Sequence, residues 1–112
     1  FISLNFDSVG ICPWNFPIFV MMRKIAPALL TGCTVVVKVS EYTPISSFEI
    51  AKLFNDAGVP NGVINVVTGD GDSIGQALVE SDVPAIISMT GSTAVGQKIM
   101  KAASSNLTKV SN

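Results

Sequence analysis

Asn15 stands in the segment Pro13-Trp-Asn-Phe-Pro17, where two prolines and two aromatic residues stiffen the chain around one amide. An asparagine held rigidly at a ligand-facing edge can donate a hydrogen bond to a developing oxyanion. The plainer reading of the same residue is an Asx-turn between prolines. Lys38 and Glu41 lie three residues apart at the end of a β-branched run. A lysine there can bond ribose hydroxyls, and a carboxylate there can accept from a ribose diol while repelling a 2′-phosphate. Alternatively, the two form a solvated ion pair worth little. In Ser88-Met-Thr-Gly-Ser-Thr93, Ser92 precedes a helical stretch. The free N–H groups at that helix start attract phosphate, or Ser92 is an ordinary cap. Gly69-Asp-Gly-Asp-Ser-Ile-Gly75 comes near the dinucleotide fingerprint, but its glycines fall one residue too far apart and follow the third strand instead of the first. By itself it reads as a tight turn with Asp72 capping the next helix. It lacks the third acidic ligand that a calcium loop requires.

These groups need elements to hold them. Five short runs carry β character: Ser8–Cys12, Thr34–Val39, Val63–Thr68, Ala85–Thr90 and Leu107–Ser111. Thr34–Val39 is a near-continuous β-branched run, which suits a strand covered on both faces. Between the runs lie helical stretches at Phe19–Leu30, Ile45–Asp56, Ser73–Glu80 and Thr93–Ala103. Pro27 predicts a kink or an early stop in the first. Pro44 opens the second, and Gly58 closes it. Strands alternating with helices imply parallel pairing through right-handed crossovers, hence an open, mostly parallel five-stranded α/β sheet with helices on both faces. In such sheets ligands lie beyond the carboxyl ends of the strands. That selects the loops Pro13–Pro17, Ser40–Pro44, Gly69–Ser73 and Gly91–Thr93.

The bulk numbers agree with one domain. There are 112 residues, 48% of them apolar and 13% charged, enough for a buried core and too few charges for a disordered chain. That apolar content reads equally as a large core or as surfaces destined for another domain or subunit. A net charge of −1 leaves no footprint for nucleic acid or an anionic membrane. No run reaches the ~18–20 apolar residues that span a bilayer. With no histidine, neither a histidine-centred triad nor an imidazole metal site can form in these residues. Cys12 and Cys33 read as free thiols of an intracellular, cytoplasmic protein instead of a disulfide framework.

Taken together, five segments resemble the aldehyde dehydrogenase superfamily. They are Pro13-Trp-Asn-Phe-Pro17, Ala26-Pro-Ala-Leu-Leu-Thr-Gly32, Thr34-Val-Val-Val-Lys38 with Ser40-Glu41 and Thr43-Pro44, Gly58-Val-Pro-x-Gly-Val-Ile-Asn-Val-Val67, and Thr90-Gly-Ser-Thr93 with Gly96. The match runs in unbroken order over about residues 9 to 112, and five ordered motifs are far more specific than any one.

The resemblance implies a Rossmann-like domain over residues 1–112 that binds NAD, with NADP the alternative. Its parent would be a homo-oligomeric enzyme that oxidises an aldehyde to a carboxylate, with no nucleic acid or membrane partner. Carried over by position, Asn15 would stabilise the oxyanion, and Ile11, Cys12 and Trp14 would line the cofactor. Lys38 and Glu41 would hold the adenosine ribose, and Gly71 would lie near the adenine side. Ser92 would contact the pyrophosphate, with Val95 packed nearby. The segments look closest to lactaldehyde, betaine-aldehyde and succinate-semialdehyde members.

Three positions depart from the family pattern. Val39 replaces the usual proline, which is expected to loosen the Ser40–Glu41 turn. Met89 stands where phenylalanine is common, and Phe1–Ser8 lacks the usual approach to the first strand. The family's catalytic glutamate, in Glu-Leu-Gly-Gly, and its nucleophilic cysteine would lie past Asn112. Cys33 and Cys12 sit at loop positions that do not match the nucleophile. The 112 residues alone are therefore expected to lack dehydrogenase activity, leaving three readings: a fragment of a larger enzyme, a stand-alone nucleotide-binding module, or a non-binding domain whose site is incomplete.

Overall fold

A computed structural model describes residues 7–106 and 108–111. The chain alternates β1 (Asp7–Ile11), α1 (Pro17–Leu30), β2 (Thr34–Val39), α2 (Ile45–Asp56), β3 (Ile64–Thr68), α3 (Gln76–Glu80), β4 (Ile86–Met89), α4 (Thr93–Ser104) and β5 (Lys109–Ser111). The described strands form one sheet in the order β3-β2-β1-β4-β5, and every pairing is parallel. This is the α/β architecture expected from the alternating pattern. The proposed start of the last strand at Leu107 lies outside the described residues.

β2 explains the two-layer cover. Val35, Val37 and Val39 point to one face and pack with Met21, Ile25 and Ala28 of α1 and with Ile50 and Phe54 of α2. Val36 points the other way, to a cluster of Val9, Ile87 and Met89 with Val79 of α3 and Ile99 and Ala103 of α4. A strand apolar on both faces can only sit between two helical layers. α1 and α2 therefore cover one face, and α3 and α4 the other.

Two expectations require correction. α1 neither stops nor ends early at Pro27; it begins at Pro17, two residues before the proposed start, and continues to Leu30. Proline at the first helical position costs no hydrogen bond because that N–H has no intrahelical partner. The ring at Pro27 does remove one internal bond, but the burial of Met21, Ile25 and Ala28 on either side holds the helix together. The segment before α3 also differs. Its cap is Asp70, not Asp72: the Asp70 carboxylate accepts from Ser73 N at 2.8 Å and from Ser73 Oγ at 2.6 Å. A single π-turn, Gly71–Gly75, runs from that cap into α3. Gly69 makes the turn feasible, because its φ of 152° is disfavoured for other residues and a Cβ would collide with Cγ1 of Ile74.

Ile87 is fully buried in the second cluster. We expect Ile87→Ala to lower stability by ~2–5 kcal/mol, through lost transfer energy plus a cavity. A denaturant midpoint unchanged from the parent protein would show that β4 does not carry this core.

Candidate functional site

The strand order reverses at β1. From β1 the chain crosses by α1 to β2 on one side, while β4, on β1's other side, is reached later over the opposite face. The loops leaving the carboxyl ends of β1 and β4 therefore part, and a crevice opens between them. A groove of about 530 Å³ occupies this place, within the size range of small-molecule and cofactor sites. Asn15, Ile11, Cys12, Trp14, Lys38, Glu41, Gly71, Ser92 and Val95 all line it. These residues are drawn from Ile11 through Val95 of the sequence, and the parallel sheet brings them to one rim.

Several bonds fix the rim. Cys12 N donates to Lys38 O at 3.0 Å, and Thr90 N donates to Ile11 O at 3.0 Å, so the pairing of β1 with both neighbours extends past the strands. Thr43 Oγ1 donates to Trp14 O at 3.1 Å, tying the β1 loop to the β2 loop. Phe16, with φ 51° and ψ 52°, is the one non-glycine residue with positive φ among those described. A left-handed phenylalanine is strained by roughly 1–2 kcal/mol, and the turn it makes separates exposed Asn15 from the start of α1.

Lys38 is buried, 5% exposed, on the face shared with Val36. Its Nζ reaches Glu41 Oε2 at 3.5 Å, and the carboxylate is 38% exposed at the groove. The lysine is thus a fixed cation with its partner toward solvent, unlike the solvated pair that spacing alone allows. The Ser40–Glu41 turn that Val39 is expected to loosen is hydrogen bonded: Tyr42 N donates to Ser40 Oγ at 3.2 Å, and Thr43 N to Ser40 O at 3.2 Å. Val39 itself continues β2, paired with Thr68 and 1% exposed. Burial of its side chain in the first cluster offsets the lost ring constraint.

Ser92 caps α4. Its Oγ accepts from Val95 N at 3.3 Å, so its hydroxyl proton remains for an outward acceptor. The helix that follows is apolar on its buried side at Gly96, Ile99 and Ala103. Gly71 has open space where a Cβ would stand. A buried ammonium, a partly exposed carboxylate beside it and a capped helix start along one groove make a set of donors and acceptors that fits a dinucleotide.

Lys24 was not singled out from the sequence. It lies on α1 over Gly10 of β1, where a Cβ would come within 3.0 Å of the lysine side chain. Its Nζ donates to Ser88 Oγ on β4 at 2.9 Å and to Thr90 Oγ1 just past that strand at 2.8 Å. Burial lowers its pKa, Cys12 opposes that shift, and Arg23 adds to it. A signal was available: Lys24 is three residues after buried Met21 and four before buried Ala28, so a cation stands on the apolar stripe.

Both cysteines are free. Burial pushes the Cys12 thiol up to about 11, against the attraction of Lys24 and Lys38. Cys33 lies before β2, at the amino end of the sheet and away from the groove. No group of three metal-ligating side chains occurs among the described residues. No helix among them is long and apolar enough to cross a membrane.

The model of the aldehyde dehydrogenase family matches residues 8–112. The chain is 50% identical over 103 residues to lactaldehyde dehydrogenase of Escherichia coli, covering 92% of this chain and 22% of that protein. It is 53% identical over 102 residues to a D-glyceraldehyde dehydrogenase (NADP(+)) of Thermoplasma acidophilum, covering 91% of this chain and 21% of that one. It superposes with a TM-score of 0.91 and 40% identity on a mutant of aldehyde dehydrogenase C from Pseudomonas syringae in complex with NAD+ and octanal, covering 93% of this chain and 21% of that chain. The chain spans about a fifth of the length of these relatives.

A thiol held near 11 is about one-thousandth thiolate at pH 8, and only the thiolate is alkylated. Peptide mapping after brief iodoacetamide treatment at pH 8 is expected to find Cys33 modified and Cys12 largely untouched. Equal labelling would contradict the burial of Cys12.

Proposed function

Because the chain belongs to the aldehyde dehydrogenase family, we propose that residues 1–112 form the nucleotide-binding part of an NAD-dependent enzyme that oxidises an aldehyde to a carboxylate. The observation that carries this reading is the single groove at the strand-order reversal, where Asn15, the Lys38–Glu41 pair and the Ser92-capped start of α4 line one cavity. A bound nicotinamide dinucleotide supplies the hydride acceptor.

The chain's own residues do the rest of the work at this end. Lys38 donates to ribose hydroxyls, and Glu41 accepts from the diol. Glu41 favours NAD, since a 2′-phosphate beside a carboxylate is repelled. NADP is the alternative, made concrete by a relative whose name specifies NADP(+). Ser92 Oγ–H and the free N–H groups at the start of α4 take the pyrophosphate. Ile11, Cys12, Trp14 and Val95 supply wall, and Gly71 leaves room at the adenosine end. Asn15 donates its amide N–H to the substrate oxygen as negative charge gathers there. The names of the relatives support a small hydroxy- or polar aldehyde as substrate, lactaldehyde and glyceraldehyde among them.

In the full-length protein, Asn15→Ala is expected to lower kcat by about 10²–10³-fold with a smaller change in KM, the size of losing one oxyanion donor. Steady-state kinetics with a small aldehyde test this, and an unchanged kcat would remove Asn15 from the chemistry. The 112-residue polypeptide alone is expected to give no aldehyde-dependent NADH. Its groove thiol is held protonated, and its other thiol lies at the far end of the sheet. Steady NADH production by the pure polypeptide would refute the assignment of nucleophile and base to other residues.

A further inference from the structure

We infer that the Asn61–Gly62 peptide is a self-modifying site, where the asparagine loses its amide to give aspartate and β-linked aspartate. The inference stands apart from the nucleotide-binding reading.

Asn61 is the one asparagine in the sequence that glycine follows. Pro60, Asn61 and Gly62 are exposed, between α2 and β3. Val63 N donates to Pro60 O at 3.3 Å, so Asn61 and Gly62 are the central pair of a β-turn. Gly62 holds a φ of 87°, and no atom lies within 4 Å of where its Cβ would stand. Among the described residues, neither the Asn61 amide nor the Gly62 N–H takes part in a hydrogen bond. The peptide plane between them can therefore flip from one turn type to another while the Val63–Pro60 bond stays made, since glycine accepts either sign of φ. That freedom lets the Gly62 nitrogen reach Asn61 Cγ.

The nitrogen bonds to Cγ as it gives up its proton. The Cγ–Nδ2 bond breaks, ammonia leaves, and a cyclic imide closes. Water then opens the imide. Attack at Cγ yields aspartate, and attack at the main-chain carbonyl yields a β-linkage that carries the backbone through Cβ and Cγ. Each event takes up one water, releases one ammonia and adds one negative charge, with no oxidant or reductant.

The fold separates this site from the other pair capable of the same ring. Asp70–Gly71 is the one aspartate–glycine step in the sequence. The Asp70 carboxylate accepts from Ser73 Oγ at 2.6 Å and from Ser73 N at 2.8 Å. Those bonds hold its carboxyl below the usual range, and an ionised carboxylate resists attack by nitrogen. Asn65 is tied down as well, its Nδ2 donating to Gly62 O at 2.9 Å and Val35 O at 3.3 Å. The Asn61 turn leads into the amino end of β3, an edge strand, whereas the groove lies at the carboxyl ends. The new charge and the lengthened backbone therefore fall away from the groove.

The test keeps the full-length protein native for weeks at physiological temperature and mildly alkaline pH, beside a portion held unfolded in guanidinium chloride. Peptide mapping with fragmentation locates each converted residue. An isoaspartate-specific carboxyl methyltransferase with labelled S-adenosylmethionine counts the β-linked product. In the native protein, Asn61 is expected to convert ahead of every other asparagine and aspartate, with Asp70 intact, and the chain gains an acidic form of one extra negative charge. Unfolding is expected to add conversion at Asp70. Asn61→Gln is expected to abolish the acidic form and the methyl acceptance at this turn, and NAD+ affinity by calorimetry is expected to stay unchanged in both the aged protein and the variant. Asn61 that stays intact in the native protein while converting in denaturant overturns the inference. Native conversion at Asp70 ahead of Asn61 also overturns it. A loss of NAD+ affinity that tracks conversion overturns the separation of this site from the groove.

Discussion

Ile11 is paired with Lys38 of β2 on one side and with Met89 of β4 on the other, all in parallel. The rest of the molecule depends on this three-strand register. Parallel strands send all their carboxyl ends to one edge, so residues far apart in sequence share a rim. The chain leaves β1 toward α1 and returns over the opposite face to β4, so nothing bridges the gap between the two outgoing loops. The groove is therefore a consequence of strand order. Its depth at Ile11 and Met89 is set by how far the ladder continues, and the bonds from Cys12 N to Lys38 O and from Thr90 N to Ile11 O carry it just past the strand ends.

The same register decides which lysine is buried and how. Lys38 follows Val37 in β2 and points to the face of α3 and α4, beyond the last apolar layer, where Glu41 can reach it. Lys24 comes from the opposite layer. It crosses β1 over Gly10, the only residue type that leaves room for it there, and fastens α1 to Ser88 and Thr90. Drawing a lysine partly out of water without partners would be costly; two hydroxyls receive this half-buried one. β1 is thus clasped from above and below by cations whose acceptors lie on neighbouring strands or loops. Both cations also act on the Cys12 thiol, though burial outweighs them.

Two loops that line the groove or lead into it hold backbone conformations that most residues resist. Phe16 adopts a left-handed backbone directly after Asn15. Gly69 adopts an extended, positive-φ conformation directly before Asp70. In each case a turn that an ordinary residue resists places a polar side chain at the start of a helix or rim. The neighbouring β2 turn needs no such device, because Ser40 supplies both a hydroxyl and a carbonyl acceptor to it. That is why valine at position 39 can extend the strand without releasing Glu41.

Much of this was legible in the chain itself. The β-branched run Thr34–Val39 demanded a two-sided sheet, the alternation of elements demanded parallel pairing, and together they predicted which loops would gather. Ser92 read as a cap, and it is one. Periodicity and turn chemistry are local properties, and local properties are what a sequence displays. It misjudged what depends on distant packing: α1 runs through Pro27 because burial against β2 outweighs a lost hydrogen bond, and the turn after β3 is capped by Asp70 because Gly69 and Ile74 set its start. Lys24 stayed hidden because its partners lie more than sixty residues away. The sequence by itself determined the elements, the edge where they meet and the family. Only the tertiary structure decided which charges face one another there, because electrostatic pairing follows distance in space and the chain order does not encode it.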